Sequence, residues 1–157
     1  MPSRRELIRM SEDELQSFVR SNKTIIINSI GPGGYPHPMP MWFAVDDDGS
    51  VRMTTFRKSQ KVLNIGRDPK VSLLVESGEE YNQLRGVVIY GRARVVDDLA
   101  EVKRTLLAIS GIGELTDPEA RKAADAAISK TAAKRVAILI RPETIVSWDH
   151  SKLGGTY

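Results

Sequence analysis

The sequence predicts a mainly β fold with helices at its margins, an antiparallel barrel rather than a doubly wound parallel sheet, and three observations carry that prediction. About seven short β-rich segments punctuate the chain, bounded by Gly, Pro and Asp turn residues. The first three, near residues 24–30, 38–45 and 51–56, have no helical pattern between them, whereas parallel neighbours need a crossover of a dozen or more residues. The longest helical patterns cluster late, over residues 99–133, which is the segregation of an α+β architecture. A chain of 157 residues has room for one domain with a sizeable core, here taken as 1–157.

Each element has a local reason. Ser11-Glu12-Asp13-Glu14 is a capping box, in which hydroxyl and carboxylate satisfy helix-start donors reciprocally, and Leu15, Phe18 and Val19 form the stripe that follows. Residues 24–30 are rich in β-branched side chains and run into the reversal Gly31-Pro32-Gly33-Gly34. No helix follows those glycines, so they read as a turn and not as a phosphate loop. Residues 38–45 read as one strand carrying Pro38 and Pro40; proline cannot donate to a ladder, so that half belongs at an edge or a bulge.

Asp46-Asp47-Asp48-Gly49 turns the chain into the strand 51–56. A short helix follows, with Val62, Leu63 and Ile65 as its apolar side, and Asp68-Pro69 ends it. Residues 71–75 return as a strand, and residues 86–96 form the longest one, with Gly86 and Gly91 where a barrel strand bends. Leu99, Val102, Leu106 and Ile109 mark a helix that stops at Gly111-Ile112-Gly113. Thr116-Asp117-Pro118-Glu119 starts another that runs to Ser129. Residues 135–140 and 143–148 read as two strands separated by Arg141-Pro142.

Composition excludes several functions. There is no cysteine, which rules out disulfides, thiolate metal sites, iron–sulfur clusters and a cysteine nucleophile. The two histidines, His37 and His150, lack close-spaced carboxylate partners, so no metal site is expected. A hydrophobic fraction of 41% with 27% charged residues is that of a globular chain, and no apolar run approaches the ~18 residues of a membrane span. The charged start leads into Ser11-Glu12 and not into the apolar core of a secretory signal, so the expectation is a cytoplasmic protein without a membrane partner. A net charge of +3 mildly favours an anionic partner. Low aromatic content and the lack of zinc-finger spacing or a stacking motif argue against nucleic acid.

The most informative stretch is 51–65, where a strand runs straight into a helix start loaded with cations and hydroxyls. Unpaired N–H groups and a partial positive charge mark any helix N-terminus, and an anion is stabilised by both. Arg57, Lys58 and Lys61 add full charges, and Thr54, Thr55 and Ser59 add hydroxyl donors. The pattern is that of a phosphate seat; the plainer alternative is a solvated basic turn.

Pro36-His37-Pro38-Met39-Pro40-Met41-Trp42-Phe43, then an Asp-Gly turn, then Arg57-Lys58-Ser59-Gln60-Lys61-Val62-Leu63-Asn64-Ile65 and Arg67-Asp68-Pro69 together resemble the split β-barrel flavin and deazaflavin oxidoreductases, the superfamily that includes pyridoxamine phosphate oxidase. The likeness continues through residues 86–96 and the tail 146–155, and so covers most of the chain. That tail and the Lys-Ser-Gln-Lys order are most similar to the branch that uses coenzyme F420, though the same barrel also hosts FMN proteins. The resemblance implies an FMN-binding type of split barrel and a homodimer with cofactor sites at the subunit interface, acting on a small molecule. It implies that Lys58, Ser59 and Lys61, with Thr54, Thr55 and Arg57, hold the cofactor phosphate, and that Met39, Pro40 and Met41 line the tricyclic ring. Trp148 and Lys152 would close the groove or meet the cofactor's acidic extension. The basic and serine set with which pyridoxamine phosphate oxidase holds its substrate phosphate is missing near the C-terminal end, which argues against vitamin B6 chemistry.

The reaction so implied is hydride transfer between reduced deazaflavin and an electron-poor carbon, such as the β-carbon of an enone. Tyr81, Tyr90, His37 or water is then the proton donor. The plainer reading makes His37 a strand-entry residue, Tyr90 strand packing, Trp42 and Phe43 core, and Arg92 and Arg94 solvated. An FMN-dependent enzyme and a non-catalytic cofactor carrier are the alternatives on the same barrel.

Overall fold

The computed structural model describes residues 1–112 and 115–155. Its strands are β1 (Thr24–Ile30), β2 (Pro36–Trp42), β3 (Ala44–Val45), β4 (Val51–Phe56), β5 (Lys70–Ser77), β6 (Arg85–Val96) and β7 (Arg135–Asp149). They hydrogen-bond in the order β2-β1-β5-β6-β7-β4-β3, every pair antiparallel. The edge strands β2 and β3 are separated in the chain only by Phe43. Two peptide units reach ~7 Å, while the edges of a flat seven-stranded sheet lie roughly 29 Å apart at a spacing of about 4.8 Å. The sheet must therefore roll up, and the result is a split barrel, open between β2 and β3.

The inward positions form one core: Ile25, Ile27, Val51, Met53, Leu73, Val75, Val87, Ile89, Ile138 and Ile140 are buried in a single cluster. Each such aliphatic side chain contributes about 1.5–3 kcal/mol when fully buried.

The strand expected over residues 38–45 is two. β2 begins at Pro36, and buried Phe43 breaks the chain where it steps across the split. Among the described residues β2 pairs only with β1, with Pro36, Pro38 and Pro40 at alternate positions opposite Ile30, Asn28 and Ile26. Alternate residues point their N–H the same way, so all three missing donors face the open edge and none is subtracted from the ladder. Conversely, the two strands expected over residues 135–148 are one. β7 continues through Arg141 and Pro142 because β6 spans the whole length beside it, with a register shift at Tyr90/Gly91. Gly91 makes that bulge possible, since a Cβ there would sit 2.4 Å from the Arg141 carbonyl oxygen.

The helices are α1 (Arg4–Leu7), α2 (Glu12–Ser21), α3 (Gln60–Arg67), α4 (Leu99–Ser110) and α5 (Pro118–Ala132). The capping box of α2 forms, with Glu14 N–H donating to Ser11 Oγ and Ser11 N–H to the Glu14 carboxylate. α4 stops at Gly111, whose φ of 68° is left-handed; Gly113 lies outside the described residues. α5 runs to Ala132, beyond the expected end at Ser129. α4 is clamped to β4 by Arg52, 3% exposed, which donates from Nε to Asp46 Oδ1 (2.8 Å) and from Nη1 to Thr105 Oγ1 (3.2 Å). On α3 the expected apolar face is rotated: Leu63 is 61% exposed, and Lys61, Asn64 and Ile65 face the barrel. Among the described residues no helix is long and apolar enough to cross a membrane.

Candidate functional site

β4 deals its side chains to two faces. Thr55 shares the inner face with Val51 and Met53, and Thr54 shares the outer face with Arg52 and Phe56. The chain then reverses, with Ser59 N–H donating to the Phe56 carbonyl (3.0 Å), and this swings the first turn of α3 back under the strand end. Lys61 Nζ consequently donates to Thr55 Oγ1 (3.0 Å), and Thr55 Oγ1 donates to Ser59 Oγ (3.1 Å). Ser59 makes no side-chain cap on α3, whereas Ser3, Ser11, Asp98 and Asp117 cap α1, α2, α4 and α5. The leading amides of α3 are thus left without that partner.

Arg135 completes the arrangement. It lies opposite Phe56 in the β4–β7 register, its guanidinium stacks 4.5 Å from the Phe56 ring centroid, and Nη1 donates to Thr54 Oγ1 (3.3 Å). Its Nε is buried without a hydrogen-bond partner. Lys61 is only 6% exposed. Burial pushes its pKa below the usual lysine range, and the nearby Arg135 charge pushes it the same way. Among the described residues neither cation has a carboxylate in ion-pairing range. A buried lysine beside a half-buried arginine, neither with a counter-charge in ion-pairing range, is costly in isolation and chemically suited to an anion with several acceptor oxygens.

Below them Asn64, fully buried, donates to Ser29 Oγ (3.0 Å) and accepts from Gln60 Nε2 (2.9 Å) and Arg67 Nη2 (2.7 Å). His37, the register partner of Ser29, has a buried Nδ1 with no partner. Beside Arg135 a cavity of about 450 Å³ opens between Pro40, Met41 and Trp42 of β2, Thr54 of β4, and Leu106 and Ile109 of α4.

The structure therefore brings Pro40, Met41 and Thr54 around one cavity, and Thr55, Ser59 and Lys61 into one hydrogen-bonded chain. Met39 lies on β2 opposite Ile27, and Lys58 is exposed. Arg57 is engaged elsewhere: it grips Asp97 through Nε (2.9 Å) and Nη2 (2.8 Å) and donates to the Ala133 carbonyl (3.2 Å), tying the start of β7 to the turn. Trp148 and Lys152 lie at the opposite end of β7 from Arg135. The Trp148 indole covers Gly86, where a Cβ would be 2.1 Å from Cζ2. Lys152 Nζ donates to the Arg9 carbonyl (2.9 Å) and to Glu14 (2.6 Å), which holds the Glu14 carboxyl at a pKa of about 2.

Of the side chains considered for proton donation, Tyr81 packs against His150 at 4.5 Å, Tyr90 projects outward from β6, and only His37 belongs to the strand that walls the cavity. Trp42 and Phe43 divide, Trp42 lining the cavity at 69% exposure and Phe43 entering the core. Arg92 is paired with Glu143 at 2.8 Å.

Sequence reasoning missed Arg135, Asn64 and Ser29. Asn64 was recoverable, because Lys61, Asn64 and Ile65 fall at i, i+3 and i+4 on one helix face. Arg135 carried no local signal; only the β4–β7 register brings it to Phe56.

The family model described as pyridoxamine 5'-phosphate oxidase matches residues 11–149. Among solved structures, a conserved hypothetical protein from Mycobacterium tuberculosis is 37% identical with a TM-score of 0.86, over 99% of this chain and 95% of that one. A protein named F420 reductase is 26% identical with a TM-score of 0.60, over 83% of this chain and 94% of that one. An FAD binding protein from Mycobacterium smegmatis is 19% identical with a TM-score of 0.61, over 88% and 94% respectively, a likeness of fold. No curated protein matches the chain.

Proposed function

Because the chain belongs to the pyridoxamine 5'-phosphate oxidase family, whose split barrel it shares with an F420 reductase, we propose that it is an oxidoreductase that binds coenzyme F420 and works as a homodimer on a small electron-poor substrate. The observation that carries this reading is the pair of neighbouring cations, buried Lys61 and half-buried Arg135 with its orphaned Nε, neither of which has a carboxylate in ion-pairing range among the described residues.

The donor set suits a phosphodiester: Lys61 Nζ, the orphaned Arg135 Nε, the Ser59 hydroxyl and the leading amides of α3. When bound, the deazaflavin supplies hydride chemistry at an electron-poor carbon. The protein's part is placement. Pro40, Met41 and Trp42 of β2 wall the cavity and would offer the ring apolar surface. Thr54, held by Arg135, fixes the guanidinium against the cavity wall.

Trp148 and Lys152 stand far from this cavity within one chain, and a second copy presenting its own tail reconciles them with a shared site. Exposed Trp42 on the cavity wall and exposed Phe56 (57%), stacked on Arg135, support such a contact.

Titration of the purified protein with F420 and with FMN, followed by cofactor fluorescence, tests the assignment. F420 is expected to bind at least about tenfold tighter, a difference of about 1.4 kcal/mol. The reverse order assigns FMN, and binding of neither removes the enzymatic reading. A panel of enones, quinones and nitro compounds that never oxidises the bound reduced cofactor would leave a carrier.

A further inference from the structure

A second, larger cavity of about 680 Å³ continues past Trp42 and Ile109, which line both spaces. Its volume lies within the roughly 300–1,000 Å³ typical of small-molecule sites. One wall is the chain crossing the split, Trp42 to Val45, and the opposite wall is the last turn of α4. The end remote from Arg135 carries Arg20 and Lys23. Arg20 spends its guanidinium on two neutral carbonyls, those of Val45 (3.0 Å) and Asp46 (3.1 Å), so its charge is not cancelled. Lys23 is exposed and makes no ion pair among the described residues.

Among the described residues no Asp or Glu lines either cavity, in a chain with 20 of them. The carbonyls at the α4 C-terminus bring roughly half a negative charge to this end, which two full cations outweigh. The chemistry along the trough is thus ordered: an apolar stretch bounded by Trp42, Phe43, Val45 and Ile109, then a cationic end.

We propose that this second cavity binds an apolar molecule ending in a carboxylate, with its body between Trp42 and Ile109 and its acid against Lys23 and Arg20. On the functional reading above, that molecule is the substrate, held end-on to the cofactor cavity across Trp42. The same cations suit another source of carboxylate, the acidic extension of the cofactor itself, so the test separates the two.

The probe is 11-(dansylamino)undecanoic acid with its methyl ester as the uncharged control, titrated without cofactor and read by energy transfer from tryptophan. The acid is expected to bind at least about tenfold tighter than the ester, with the transfer lost in Trp42→Phe and kept in Trp148→Phe. Lys23→Glu, at an exposed position that carries little folding risk, should weaken the acid about tenfold and leave the ester unchanged. Ile109→Trp, checked for an unaltered melting profile, should exclude both. Lys61→Ala should weaken F420 and spare the acid. Equal affinity for acid and ester, or a Lys23→Glu variant that weakens F420 and not the acid, overturns the proposal. Acid binding in a protein that binds neither cofactor would sink the functional reading and leave this site standing.

Discussion

Replacing Lys61 with Met separates a ligand-binding role from a structural one, because the two predict opposite signs. The residue is 6% exposed, its ammonium has Thr55 Oγ1 as hydrogen-bond partner, and it feels the charge of Arg135 with no carboxylate in ion-pairing range among the described residues. Without a bound anion it is a desolvated charge repelled by Arg135, and both effects lower its pKa. Met preserves the stem and removes the charge. Thr55 keeps its bond to Ser59, so the apo variant should be as stable as the parent, or more stable by about 1 kcal/mol. Cofactor affinity should move the other way. Losing a hydrogen bond from a charged donor costs about 1.5–3 kcal/mol, or roughly 10- to 150-fold in Kd.

The pH dependence has a definite sign. Between the lowered folded pKa and the ordinary lysine value of 10.5 the unfolded chain binds the extra proton, so stability climbs with pH through that window. Lys61→Met should flatten the climb. Urea unfolding from neutral to alkaline pH, with F420 titrations on the same samples, reads both effects. A variant that loses more than about 1.5 kcal/mol of stability yet binds cofactor normally would refute the argument and make Lys61 a structural strut.

Two further expectations concern the C-terminal tail. Gly86→Ala puts a methyl 2.1 Å from Trp148 Cζ2 and should displace the indole at a cost of about 1–3 kcal/mol; an unchanged urea midpoint and tryptophan emission would show that the ring has room to yield. Glu14, held at a pKa of about 2 against a usual 4.5, anchors Lys152 fully above pH 4.5 and lets go as the pH falls toward 2. Trp148 emission in a Trp42→Phe background should therefore change across that window, and Lys152→Ala should abolish the change.

How much was readable depended on sequence separation. Thr55, Ser59 and Lys61 meet within one strand–turn–helix, so their convergence is local and the residue types announce it. The capping box at Ser11 and the edge placement of β2 follow the same logic, since a hydroxyl three residues from a carboxylate and prolines at alternate positions are each decided by short-range geometry. Arg141-Pro142 misled for the complementary reason. A proline marks a break when its neighbours are judged alone, yet β6 carries the ladder past it through the Gly91 bulge. Leu63 misled because a short apolar run does not say which third of a helix faces inward.

By itself the chain determined its class of fold, its capped helices and the basic strand-to-helix turn, because backbone dihedrals, missing amides and helix caps act over a few residues. Tertiary structure alone decided that Arg135 joins Lys61, that Trp148 and Lys152 stand at the other end of β7, and that Phe43 closes the split. Those outcomes depend on strand register, and register is settled by the packing of the whole inner face at once.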